Sequence, residues 1–242
     1  HFGRRYVRCR GNGGRATLPG MVKCNESYVT LSNVAEKAAA WLGEVRGAVR
    51  PRPNLVLRPG SAALLLIDMV NYFASPTGEA YLPASEAAQL QLTKLLPVWR
   101  KAGGTVVFPR HGHDGPHDTG MLGQFFSDYI RWESSASRIV EGLQPADGDL
   151  VFRKRTYDAF HETELESQLR DRGITQVLIG GVLTHMCCAT TARSAFVRGL
   201  ATHLLVDGMA TSTERLHLAA LHTLADSVAI VHATSEVIHR WQ

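Results

Sequence analysis

No apolar run in this chain approaches the roughly 20 residues that a membrane-spanning helix requires, which argues against a spanning segment. No C-x-x-C pair occurs among its four cysteines, Cys9, Cys24, Cys187 and Cys188, and none has zinc-finger spacing. Neighbouring Cys187 and Cys188 could bridge each other only with strain, so a reducing, cytoplasmic setting fits best. Acidic residues are missing from the first 20 positions, which hold Arg4, Arg5, Arg8, Arg10 and Arg15. Residues 21–242 carry 21 basic and 22 acidic groups, so the formal charge of +4 belongs to this leader. A nucleic-acid-binding surface is therefore not expected. The leader opens on His1, and Met21 begins a more ordinary sequence; it reads as an artificial leader, as translation from upstream, or as a processed or targeting arm.

What is present is a chain of 242 residues, 45% hydrophobic, long enough to bury one sizeable core. Residues 61–67, "SAALLLI", form a continuous apolar run that ends on Asp68. Such runs, polar only at their ends, are the mark of strands covered on both faces of a parallel sheet. Others follow at 104–110, 149–152, 176–181, 201–207 and 227–232. Helical spacing predicts helices over 84–102, 161–172, 186–199 and 213–225, a short one near 120–130, and a peripheral one within 30–48. The alternation predicts an α/β fold: a three-layer αβα sandwich around a six-stranded, mainly parallel, Rossmann-like sheet. Residues 56–242 form the expected domain, and residues 1–55 an N-terminal extension that is partly flexible. In open sheets of this kind, ligands bind beyond the carboxyl ends of the strands.

Three reactive side chains fall there: Asp68 after the first strand, Lys154 after "DLVF", and Cys187 a few residues after "QVLIGG". A strand-to-helix corner suits a catalytic cysteine, because free N–H groups at the helix start favour a thiolate and can hold an oxyanion. On a helix over 186–199, Cys188, Ala192, Ala195, Phe196 and Gly199 share one stripe suited to packing. Cys187 is turned about 100° from that stripe, which leaves it for chemistry. Taken singly, each of the three has an ordinary structural role: a buried cysteine, a turn-forming aspartate, one lysine between two arginines.

"LLLIDMVNYF", "VFRKRTYDAFHETEL" and "GGVLTHMCCATTARSAF" together resemble, in order, three signature segments of the isochorismatase-like (cysteine hydrolase) superfamily. That superfamily includes nicotinamidases, N-carbamoylsarcosine amidases and ureidoacrylate amidohydrolases, and the resemblance covers roughly residues 58–238. It implies a catalytic triad of Asp68, Lys154 and Cys187. It also implies a cis Val182–Leu183 peptide, with the backbone N–H groups of Leu183 and Cys187 as oxyanion hole. The expected activity is cysteine-dependent hydrolysis of a small amide, ureide or carbamoyl compound. The expected partners are that small molecule and further copies of the chain, as a dimer or tetramer, with no nucleic acid or membrane.

No cofactor is expected. Metal-dependent relatives carry an Asp-x-His motif soon after the first signature, whereas "ASPTGEAYLP" holds no histidine. Metal binding at the loop "HGHDGPH" is disfavoured; His111 is a candidate pocket residue, and His113 and His117 read as solvated. Asn71, Phe73, Trp132, Tyr157 and Thr184 are the other candidate substrate-binding residues, with Tyr72, Phe126 and Phe160 as further aromatic candidates. Departures from the superfamily at Val70 and Tyr72 leave the triad intact but loosen any transfer of substrate. Two alternatives stand beside the amidase: vinyl-ether hydrolysis of the isochorismatase type, which needs no thiol, and a catalytically silent binding member.

Overall fold

The structure is a computed structural model that describes residues 25–242; the Arg-rich leader, Cys9 and Cys24 lie outside the described residues. From Tyr28 onward the chain is built into the core. Helix α1 (Val34–Gly47) buries Trp41 and Val45, and it packs beside the strand and helix later defined as β5 and α7. The extension expected over 1–55 is therefore not peripheral in its second half. Its apolar face is needed to cover the sheet.

Six strands follow: β1 (Ala62–Ile67), β2 (Thr105–His111), β3 (Leu150–Lys154), β4 (Gln176–Val182), β5 (Ala201–Ala210) and β6 (Ala229–His232). They pair in the order β3-β2-β1-β4-β5-β6, and every pairing is parallel. The helices after α1 are α2 (Asn71–Ala74), α3 (Ser85–Lys101), α4 (Leu122–Phe125), α5 (Leu165–Asp171), α6 (Ala189–Val197), α7 (Glu214–Ser227) and α8 (Thr234–Trp241). No helix among the described residues is long and apolar enough to cross a membrane.

Strand alternation explains the two cores. Ala62, Leu64 and Leu66 of β1 point to one face, where Leu92, Leu95 and Trp99 of α3 and Val237 of α8 cover them. Ala63, Leu65 and Ile67 point to the other, against Leu165 and Leu169 of α5, Ala192 and Ala195 of α6, and Leu221 and Leu224 of α7. Every residue of β1 is buried because both faces are covered, which is why the run carries no polar alternation.

The sheet is laid down from the middle outward. β1 is flanked by β2 on one side and by β4 on the other, so the connections diverge between β1 and β4. A doubly wound sheet opens a crevice at this switch point, beyond the carboxyl ends of the strands. Gly181, at the end of β4, has φ 110°, and a Cβ there would collide with the Ile67 carbonyl of β1. Only glycine lets the two central strands approach this closely where the crevice begins.

Candidate active site

The ends of four neighbouring strands supply the site. Asp68 leaves β1 in a left-handed conformation, φ 52°, with its N–H donating to the Pro109 carbonyl of β2 at 3.0 Å. His111 ends β2, and Lys154 ends β3 in register with it. Beyond β4, the chain passes the cis Val182–Leu183 peptide and enters a π-helical turn, Thr184–Cys188, before α6. This turn replaces the start of the helix expected from residue 186. Cys187 faces a cavity of about 810 Å³, while Cys188 is wholly buried in the core beside Ala192 and Ala195. Phe196, expected on the same packing stripe, is instead half exposed.

Asp68, Lys154 and Cys187, distant in the chain, meet at the floor of this cavity. Lys154 Nζ lies 2.7 Å from Asp68 Oδ2 and 3.3 Å from Cys187 Sγ. The same ammonium donates to the Thr156 carbonyl at 2.9 Å and faces His111 Nδ1 at 3.3 Å. The carboxyl of Asp68 also faces the Cys187 thiol and the His111 backbone N–H. A buried ion pair persists only when such extra hydrogen bonds replace water.

Burial sets the resting protonation. It pushes the Cys187 thiol up, Lys154 pulls it down, and Asp68 pushes it up again, leaving it at about 12. Burial lowers Lys154, but Asp68 and Cys187 outweigh this and hold the ammonium at about 12. Burial raises Asp68 against the pull of Lys154. At neutral pH this leaves a thiol and an ammonium beside Asp68. Removal from water outweighs the pull of Lys154 on the sulfur.

The other candidates divide. Phe73, His111, Tyr157 and Leu183 line the cavity, as do Tyr72 and Phe126. Asn71 does not: its side chain donates to the Ser135 carbonyl at 2.9 Å and ties α2 to the segment before Ile139. Trp132 lies behind the strand ends, with the Arg110 guanidinium 4.0 Å from its ring centre. Thr184 is buried and bonded to His217 Nδ1 at 2.9 Å, while His217 Nε2 donates to the Val206 carbonyl. It anchors the Thr184–Cys188 turn to α7. Phe160 belongs to the core.

His113 was expected in solvent and is buried. Its N–H donates to the Ile130 carbonyl and its carbonyl accepts from Trp132, which folds the loop back over the ring. It lines the cavity, with Nε2 2.8 Å from His111 Nε2. His117 remains exposed. Tyr129 and Met186 also line the cavity and went unpredicted; the irregular loop and the Thr184–Cys188 turn gave no periodic signal for them. No group of three or more His, Cys, Asp or Glu among the described residues is placed to hold a metal ion.

A sheet of this order, with a cysteine-bearing turn after its fourth strand, defines a class. Residues 62–236 match the model of the isochorismatase domain, and the chain belongs to the isochorismatase family of hydrolases. It is similar to nicotinamidase 3 of Arabidopsis thaliana, 36% identical over 68% of this chain and 80% of that protein. It is also similar to an isochorismatase of Bacillus subtilis, 29% identical over 88% of this chain but only 64% of that protein's length. Among solved structures, a cysteine hydrolase from Pseudomonas syringae superposes with a TM-score of 0.73 at 27% identity, covering 76% of this chain and 93% of that one.

Proposed function

We propose that this hydrolase cleaves the C–N bond of a small amide, ureide or carbamoyl compound through a thioester on Cys187. The observation that carries the reading is the meeting of thiol, carboxylate and ammonium under an open cavity. Similarity to nicotinamidase 3 supports an amide as substrate.

Each step conserves protons. Asp68 takes the thiol proton as Sγ attacks the substrate carbon, and Lys154 compensates the charge then carried by sulfur. The carbonyl oxygen becomes an oxyanion, for which the backbone N–H groups of Leu183 and Cys187 are the proposed donors. When the intermediate collapses, the C–N bond breaks and Asp68 returns its proton to the departing nitrogen. Water then gives a proton to Asp68 as it attacks the thioester, and the proton goes back to sulfur when the C–S bond breaks. Asp68 begins and ends as carboxylate, and Lys154 stays charged throughout.

Ammonia release from a panel of amides and ureides, with Cys187→Ser beside wild type, tests this. Removal of a nucleophile from a working triad costs about a thousandfold or more in kcat. A serine variant of undiminished activity would end the thioester mechanism. Similarity to an isochorismatase makes vinyl-ether hydrolysis the second reading. Turnover of a vinyl ether that persists in Cys187→Ser would establish it.

A further inference from the structure

Lys154 has three N–H bonds and four acceptors: Asp68 Oδ2 at 2.7 Å, the Thr156 carbonyl at 2.9 Å, and Cys187 Sγ and His111 Nδ1, both at 3.3 Å. The ion-paired Asp68, the nearest acceptor, and the Thr156 carbonyl take two of the bonds. Sulfur and imidazole are left to compete for the third. Whether His111 can compete depends on whether its Nδ1 is bare, and the hydrogen bonds beyond it decide this.

Asp118 lies at the far end of this chain of contacts. His113 Nδ1 faces two acceptors of Asp118, its carbonyl at 3.2 Å and Oδ1 at 3.4 Å, so that nitrogen must carry hydrogen. Against the upward push of burial, the Asp114 and Gly115 amides hold the Asp118 carboxyl below its usual range, so it stays an acceptor. Burial holds His113 below the ordinary histidine value, and burial, then Lys154 and His113, hold His111 well below it. Both rings are therefore neutral at pH 7, with one N–H each. With its hydrogen on Nδ1, His113 offers only a lone pair at Nε2. His111 must fill the 2.8 Å contact with an Nε2–H, and its Nδ1 is left bare, facing the ammonium. The Thr156 carbonyl also faces His111, but a His111 N–H turned to it would leave two lone pairs opposed at the 2.8 Å contact with His113.

We propose that His111 is a positioning residue for Lys154, its tautomer imposed through His113 by Asp118, and that it takes the third ammonium N–H while Cys187 is a thiol. As sulfur gains charge during attack, that N–H passes to Sγ, since a hydrogen bond to an ion is stronger than one to a neutral ring. The three N–H bonds turn together, so the shift is a small rotation about Cε–Nζ that keeps those to Asp68 and Thr156 within hydrogen-bonding range. The resting thiol is thereby denied a donor that the charged sulfur receives, and the N–H stabilises sulfur chiefly during attack. The inference rests on the reading of Lys154 as the cation of a cysteine triad.

Two measurements test it. Two-bond proton–nitrogen correlation spectra of the ¹⁵N-labelled protein, assigned with His111→Asn and His113→Gln, report the tautomers directly. The expected spectrum has His111 protonated at Nε2 and bare at Nδ1, and His113 the reverse; a protonated His111 Nδ1 overturns the proposal. The second is the rate of iodoacetamide alkylation at Cys187, followed on its own peptide by mass spectrometry at fixed pH. His111→Leu removes the competing acceptor and leaves the N–H to sulfur, and is expected to alkylate about tenfold faster than wild type, equivalent to about 1.4 kcal/mol. His111→Asn, whose side-chain oxygen can replace Nδ1, is expected to return towards the wild-type rate. A leucine variant no faster than wild type, or asparagine matching leucine, overturns it. Neither measurement needs turnover: inactivity on every amide would remove the amidase reading and leave the tautomers standing, whereas the wrong tautomer in an active enzyme removes this inference alone.

Discussion

Cys187 and Asp68 show how one proton can serve two residues in a dry place. The carboxylate raises the thiol and the ammonium lowers it, so removing either partner moves the sulfur in a predictable sense. Asp68→Asn deletes the negative neighbour and leaves Lys154 unopposed, and the thiolate becomes easier to form. The variant is expected to react with iodoacetamide about tenfold faster than wild type at neutral pH, while amide turnover falls about a thousandfold for want of a base. The two rates therefore move in opposite directions. If both fell together, Asp68 would be activating the sulfur at rest, and the resting thiol described above would be wrong. Lys154 loses its carboxylate in the same variant, so a lower melting temperature is expected alongside.

At the scale of elements, α1 provides the sharpest test of what belongs to the domain. Trp41 is almost fully buried, donates from Nε1 to Glu214 of α7 at 2.8 Å, and packs its ring 4.7 Å from that of His217. Trp41→Ala is expected to cost about 3–5 kcal/mol, read as a fall in the urea midpoint. A variant within about 0.5 kcal/mol of wild type, the range of ordinary surface changes, would return α1 to the status of an appendage.

The same element explains what the sequence could and could not show. β1, β2 and β4 were legible because strands covered on both faces keep no polar alternation. α1 showed its helical period but not its partner, since only the fold reveals that Trp41 meets α7. α8 escaped prediction altogether: it has eight residues, and its start is fixed by Asp207 Oδ1 accepting from Thr234 N and Oγ1, a contact between positions 27 residues apart. The three residues proposed as a triad were legible from three motifs in order, and they meet in the structure. His113 was not, because its burial comes from a backbone bridge to Arg131, which no local pattern announces.

Over the whole molecule, buried neutral histidines tie stability to pH. Burial, with His232 beside it, lowers His203 to about 3; burial lowers His217 and His232 to about 4. In the unfolded chain each would titrate near its ordinary value of about 6.5. Above that value the rings are neutral in both states and their contribution is complete. Below it, the unfolded chain binds protons that the folded one refuses, so stability falls as pH drops from about 6.5 towards 4. His217 alone accounts for on the order of 3 kcal/mol across that window. His203 and His232, whose rings share a 3.0 Å hydrogen bond across β5 and β6, act in the same direction. Asp68 and Asp207, both raised by burial, act oppositely, since the folded state accepts their protons first. Their window begins at the ordinary carboxylate value and extends upward, so they oppose the histidines most at its acid end. For a domain of ordinary stability, about 5–15 kcal/mol, the histidines are a large fraction of the whole. The urea midpoint is therefore expected to fall steadily between pH 7 and pH 5, with more than one proton taken up on unfolding at the lower end. A midpoint that stays level or rises across that interval would mean that these rings bind protons in the folded state, and that the packing around Thr184 and the nucleophile turn opens far more readily than the structure shows.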